Sequence, residues 1–210
     1  MDYNTEQMDE MKKDVLKEIA NIGSGHAATA LAALLNRPIE QTVPNVSLVS
    51  LADMPRLLGG AEKVAVAGML ELSGDFSGFL IMVLDLEQAE RVIDLAKGEQ
   101  SAFGGSLSLE RFSDLDISVL SEIVNIMGGS YLTALAGFTG LLANPSIPFL
   151  CMDMIGAILN IAAAEIGKTG DYAIVFESAL YNNAERIIGG LFLVPDEASC
   201  DNILESLGLI

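Results

Sequence analysis

Laid against itself at an offset of 104 residues, the sequence aligns 14–32 with 118–136, and 11 of those 19 positions are identical. A self-match at a fixed interval means that one supersecondary unit is built twice, so the fold must accommodate two copies in one chain. The match continues at shifted offsets: Asp53 and Met54 correspond to Asp153 and Met154 at 100, and residues 78–85 to 189–196 at 111. Such shifts are loop insertions, which cost little closure entropy.

Hydrophobic periodicity predicts the same element order in each copy: a long helix, a short extended segment, a helical piece, strands and a terminal helix. In the first copy these fall at 5–36, 45–51, 53–59, 63–84 and 86–97. In the second, a long helix spans 114–143, a helix 152–166, strands 171–194 and a last helix 196–208. The Gly- and Ser-rich run 98–114 reads as the linker between repeats 1–98 and 114–210. The expected architecture is one α/β domain of the α+β type. Its two half-sheets join around a pseudo-two-fold axis and are flanked by helices, two of them long and motif-bearing.

Composition narrows the setting. A chain of 210 residues with 51% hydrophobic content and mean hydropathy +0.45 can bury a sizeable core. Two uncharged stretches, 19–35 and 126–143, are long enough to be weighed as membrane spans. Their Gly, Ala, Ser and Thr content and the absence of an aromatic belt make them buried helices instead, so no membrane insertion is expected. The opening residues MDYNTEQ lack the basic-then-apolar order of a secretory signal, and a cytoplasmic location is expected. A net charge of −18 repels nucleic acid and favours partners that present positive charge. Cys151 and Cys200 lack the Cys/His spacing of a metal site and read as reduced structural thiols.

The repeated segment carries the chemistry. At 100° per residue, positions 14, 18, 21 and 25 lie within about 60° of one another. Asp14, Glu18 and Asn21 therefore form a polar stripe ending at Gly25, and Ser118, Glu122, Asn125 and Gly129 form its counterpart. Val15, Ile19 and Ile22 return unchanged as Val119, Ile123 and Ile126 on the adjoining apolar face. Core packing explains the apolar face but not the retained carboxylate and carboxamide three residues apart. An amide is neither base nor nucleophile; it can hold and aim a water through its C=O and NH₂. A reaction needing only an aimed water requires an activated substrate such as an acyl phosphate. Whether the two motifs face each other or form separate sites is open at this level. The run 23–28 also spells G-x-G-x-x-A, but it sits inside a helical pattern and its copy loses the spacing, so it is not a dinucleotide turn; its glycines suit close packing between the two helices.

Each Asn is followed 23 positions later by a proline, Pro44 after Asn21 and Pro148 after Asn125. The pattern Asp/Ser, Glu, Asn, Pro at these intervals resembles the signature of the CheC/CheX/FliY phosphatases of bacterial chemotaxis, and both copies match it at every position. Two motifs in a chain of this length fit the CheC branch. The resemblance implies a phosphatase that removes the phosphoryl group from the aspartate of phosphorylated CheY. It implies that Asn21 and Asn125 orient the attacking water, that Glu18 and Glu122 contact the partner's active-site lysine, that Asp14 and Ser118 support them, and that Pro44 and Pro148 are structural. It implies no cofactor of the chain's own, with Mg²⁺ carried by the receiver, and a second partner in the receptor deamidase CheD, for which the segment around Asp153, in the helix predicted over 152–166, is the candidate contact. His26 stands where family members often have Asn, with Ser130 at the equivalent place. A pseudo-symmetric chain supplying both motif helices is expected to be a monomer. A non-catalytic adaptor that binds phosphorylated CheY or CheD through the same stripes is the alternative.

Overall fold

The computed structural model describes residues 10–101, 103, 105–166, 172–177, 179–183, 185–188 and 190–208. In chain order the elements are α1 (Glu10–Leu35), β1 (Glu40–Gln41), β2 (Asn45–Ser50), α2 (Met54–Leu57), β3 (Val64–Gly74), β4 (Gly78–Leu84), α3 (Leu86–Lys97), α4 (Asp114–Thr139), β5 (Ala143–Pro145), β6 (Phe149–Met154), α5 (Ile155–Ile166), β7 (Tyr172–Glu177), β8 (Leu180–Asn182), β9 (Glu185–Ile188), β10 (Leu191–Pro195) and α6 (Glu197–Ser206). Helices α1 and α4 each run 26 residues. Each is followed by a residue in the left-handed region at the same point of the repeat, Asn36 (φ 48°) and Gly140 (φ 71°). Asn and Gly are the residues that tolerate this helix-ending conformation.

The main sheet is antiparallel, ordered β2-β7-β10-β4-β3, and β3 pairs on its far side with β6 along Val64–Met69 and with β5 along Leu72–Gly74. A smaller sheet has the order β1-β8-β9. At the centre, β4 meets β10 with Leu80 opposite Leu193, Ile81 opposite Phe192 and Met82 opposite Leu191. Under the sequence offset of 111, Leu80 corresponds to Leu191 and Met82 to Leu193. One pair therefore maps onto the other, and a local two-fold axis passes between Ile81 and Phe192.

Side chains alternate between the two faces of the strands. Val66, Leu70, Leu72, Leu80, Met82, Ile174, Phe176, Leu191 and Leu193 join buried residues of α1, α3, α4 and α6 in one core. Ala65, Ala67, Met69, Ile81, Val175 and Val194 face the other way, onto Met54 of α2 and Ile155 and Ile158 of α5. The sheet is thus covered on both faces. By length and composition α4 could cross a membrane, but half of its most apolar window is buried within the fold, as expected of a core helix.

Close approach fixes the motif helices on this base. A Cβ at Gly23 of α1 would lie 3.1 Å from the Cα of Tyr131 on α4, so the two helices touch backbone to backbone there. A Cβ at Gly68 of β3 would come within 2.1 Å of Cγ2 of Val124 on α4. Gly128 faces the sheet, over Leu70, rather than the other helix. The expectation that motif glycines serve helix–helix packing thus holds at Gly23, whereas Gly128 seats α4 on β3.

Described residues between α3 and α4 are tied down at several points. Arg111, in a 3₁₀ turn at Leu109–Arg111, pairs with Glu90 of α3, and Phe103 and Phe112 meet edge to face. At the start of α4, Ser113 and Asp116 form a reciprocal capping box, and Lys97 at the end of α3 reaches Asp116 Oδ1 at 3.2 Å. Burial opposes the charge of Asp116, but hydrogen bonds from the Ser113 backbone and hydroxyl and the Lys97 ammonium outweigh it and hold the carboxyl below its ordinary range. Burial, reinforced by nearby aspartates, pushes the thiols of Cys151 and Cys200 up to about 11, which keeps both free cysteines protonated and inert.

Some sequence expectations shift. The long second helix ends at Thr139 rather than 143, the last helix spans 197–206, and residues 5–9 and 171 lie outside the described residues. The helix predicted over 152–166 begins only at Ile155, and Asp153 lies in strand β6 instead. Cys151, Met152 and Met154 carry no strand periodicity and suit a helix equally well. Pairing with β3, from Phe149 opposite Met69 to Met154 opposite Val64, decides the strand.

Two stability predictions follow from this packing. Gly68→Ala is expected to lower unfolding stability by about 1–3 kcal/mol in urea titration, because Val124 is β-branched and cannot rotate away. Asp116→Asn is expected to cost about 1–3 kcal/mol at pH 7. Since the folded carboxyl titrates below its unfolded value of about 4, its contribution is present above that pH and lost as pH falls through the folded pKa. Urea curves at pH 7 and pH 3 should therefore show the gap between wild type and variant narrowing in acid.

Candidate active site

Packing decides which way the motif stripes point. Leu16, Ile19 and Ala20 of α1 are buried, as are Leu120, Ile123, Val124 and Met127 of α4. The opposite faces, bearing Asp14, Glu18 and Asn21 and their counterparts Ser118, Glu122 and Asn125, are exposed. From Gly23 to His26, α1 passes from Tyr131 towards Asn125, so the helices run antiparallel. The two stripes consequently open at different places.

One cleft is lined by Asp14, Lys17, Glu18 and Asn21 of α1 together with Val43 and Pro44. Pro44 is buried immediately before β2, where its missing N–H takes no ladder bond from the sheet. The other cleft is lined by Asn125, Ile126, Gly129, Ser130 and Thr133 of α4 and by His26 and Ala30 of α1. They share no residue, so the motif amides open onto two separate sites. Glu122 and Ser118 lie on the same exposed face as Asn125 but do not line its cleft, and Pro148 is half-buried just before β6. Asp153 is exposed on β6, its carboxylate accepting from the Met154 N–H at 2.7 Å.

The polar groups are left free. Among the described residues, none hydrogen-bonds the side chains of Glu18, Asn21, Glu122 or Asn125. Ser118 instead donates back to the Asp114 carbonyl at 2.9 Å, and Ser24 donates to the Asn21 carbonyl at 3.2 Å. Lys17 stands 3.9 Å from Asp14, an exposed pair that contributes little to folding. Among the described residues no three His, Cys, Asp or Glu side chains gather into a metal-binding group. Both clefts are open and shallow, without the enclosure that buries a small-molecule substrate. An amide that can aim water, in a site unable to exclude bulk water, needs the rest of its active site from a partner.

Comparison with known proteins gives the family and the fold. A protein-family model described as the CheC-like family matches residues 11–48 and 115–146. A protein of Bacillus subtilis (strain 168) named CheY-P phosphatase CheC is 34% identical over 201 residues, covering 95% of this chain and 95% of its own. This chain belongs to the CheC-like family. In structure, FliY of Thermotoga maritima superposes with a TM-score of 0.71 at 22% identity, covering 95% of this chain and 96% of its own. A chain of the CheX–CheY–BeF₃–Mg²⁺ complex of Borrelia burgdorferi gives a TM-score of 0.53 at 18% identity, covering 86% and 99%. At these identities the two structures share the fold.

Three further residues line these clefts, of which the sequence places His26 beside the motif without giving it a role. Lys17 occupies the Asn21 cleft, where Ser121 stands at the equivalent position of the second repeat, and His26 of the first repeat enters the cleft of the second. Val43 is 91% exposed beside Asn21. Lys17 was legible one position from Glu18; His26 depends on the antiparallel crossing and Val43 on a chain reversal, neither of which periodicity encodes.

Because the stripes are exposed and unpartnered, Glu18→Gln, Asn21→Ala, Glu122→Gln and Asn125→Ala are each expected to move the thermal midpoint by less than about 2 °C, measured by circular dichroism.

Proposed function

We propose that this CheC-like chain dephosphorylates the phosphoaspartate of the chemotaxis receiver CheY, using two separate sites. The single observation that carries the reading is the pairing of an exposed, unpartnered Glu and Asn on each of two antiparallel helices, in a chain 34% identical along its length to a CheY-P phosphatase. In the reaction, Asn21 or Asn125 enters the receiver's active site and its carbonyl accepts a hydrogen bond from water. The water oxygen attacks phosphorus in line, the bond from phosphorus to the aspartyl oxygen breaks, and aspartate carboxylate, inorganic phosphate and a proton result. Glu18 or Glu122 pairs with a cationic side chain of the receiver, and the charge of −18 favours that encounter. Mg²⁺ is assigned to the receiver, and Asp14 and Ser118 to support of the motif.

The same reading takes the chain as one cytoplasmic domain of two repeats, 1–98 and 114–210, acting as a monomer because one copy already supplies both motif helices. CheD is assigned as a second partner. Its contact is placed at Asp153, which is exposed on β6 at the margin of the sheet.

The test is the decay of phosphorylated CheY with wild type, Asn21→Ala, Asn125→Ala and the double variant. Loss of the water-aiming amide is expected to lower kcat about tenfold to a hundredfold at each productive site. Wild-type decay rates in the double variant would overturn the catalytic reading.

A further inference from the structure

Directly before each motif proline stands a β-branched aliphatic residue, Val43 before Pro44 and Ile147 before Pro148, related by the same offset of 104. They are the two most exposed large hydrophobic residues among those described, at 91% and 88%. Their surroundings have diverged: Gln41-Thr42 and Asn45 flank the first pair, Pro145-Ser146 and Phe149 the second. A side chain that leaves its apolar surface in water at two equivalent points, between neighbours that changed, calls for an occupant.

The backbone on either side is pinned. Before Val43, the Thr42 N–H donates to the Ala179 carbonyl at 3.0 Å; after it, Asn45 pairs with Glu177 in the sheet. Before Ile147, the Ser146 N–H donates to the Glu71 carbonyl at 2.8 Å; after it, Phe149 pairs with Met69. Between these anchors the proline ring confines the preceding residue to extended conformations. Each aliphatic side chain is therefore held out from a short, fixed span, and docking onto it costs little ordering entropy. Val43 lines the same cleft as Glu18 and Asn21, so whatever those two meet also meets Val43.

We propose that Val43 and Ile147 are apolar anchors that seat the phosphorylated receiver beside the motif Asn of their own repeat, and that Pro44 and Pro148 serve to hold them extended. This rests on the phosphatase reading above; the occupant is the receiver because Val43 is continuous with the Glu18–Asn21 cleft, and Ile147 is included as its equivalent at the offset of 104. Both are positioning residues, since they touch the partner and not the reacting atoms.

The test is steady-state hydrolysis of phosphorylated CheY by the full chain carrying Val43→Ser and Ile147→Ser together, with Asn21→Ala/Asn125→Ala alongside. The anchor variant is expected to raise KM roughly tenfold, the effect of failing to bury one aliphatic side chain at each site, with kcat within about twofold. Exchanging the two aliphatics, Val43→Ile with Ile147→Val, should restore KM. An unchanged KM, or a fall in kcat alone, overturns the anchor role. So does a loss of self-association, by light scattering, with KM unchanged, because the surface would then serve a second copy of the chain. The Asn pair separates the two failures: if removing both amides leaves turnover intact, the phosphatase reading itself has failed.

Discussion

The close crossing of α1 and α4 over the sheet governs the rest of this structure. It depends on three close approaches at glycines: Gly23 against Tyr131, Gly68 beneath Val124 and Gly128 over Leu70, the tightest against a stiff side chain being Gly68 on Val124. Packed helix surfaces lose contact energy when separated by a fraction of an ångström, so the glycines fix both the distance and the rotation of each helix. Rotation is the functional quantity. With Leu16, Ile19, Leu120 and Ile123 turned into the core, the stripes of Glu18 and Asn21 and of Glu122 and Asn125 can only face outward.

Facing outward leaves each site half an enzyme. Among the described residues no metal-binding group gathers at either cleft, and none hydrogen-bonds the motif amide side chains. That suits a substrate that is itself a folded protein carrying an activated acyl phosphate, because the partner's surface excludes water as it docks. The acidic surface contributes to encounter rather than to catalysis, since exposed charge is screened beyond about a Debye length. The clefts also differ. Lys17 stands in the first, while His26 crosses from the first repeat into the second. Two copies of one motif have therefore come to sit in unlike electrostatic surroundings.

Much of the fold was legible because its signals are local. The periodicity of 14–32 and 118–136 specifies long helices with one apolar face, and the near-continuous apolar runs of β3 and β4 specify strands with two buried faces. The α3 boundaries follow from Asp85 and Gln88 at its start and Gly98 at its end. Strand β6 was not legible, because Cys-Met-Asp-Met has no periodicity and its conformation comes from pairing with β3. Asp153 moved from helix to strand for that reason.

The sequence by itself determined that one helix motif recurs at an offset of 104, that each occurrence presents one carboxylate and one amide on a helix face, and that a proline follows at a fixed interval. Such features rest on spacing along a single element, which the chain carries wherever it goes. Only the tertiary structure decided that the helices cross antiparallel so that the motifs form two sites, that His26 serves the other repeat's cleft, and that Val43 and Ile147 stand bare beside their prolines. These facts depend on contacts between residues far apart in the chain, where neither propensity nor periodicity carries information and only the packing of one element on another fixes the outcome.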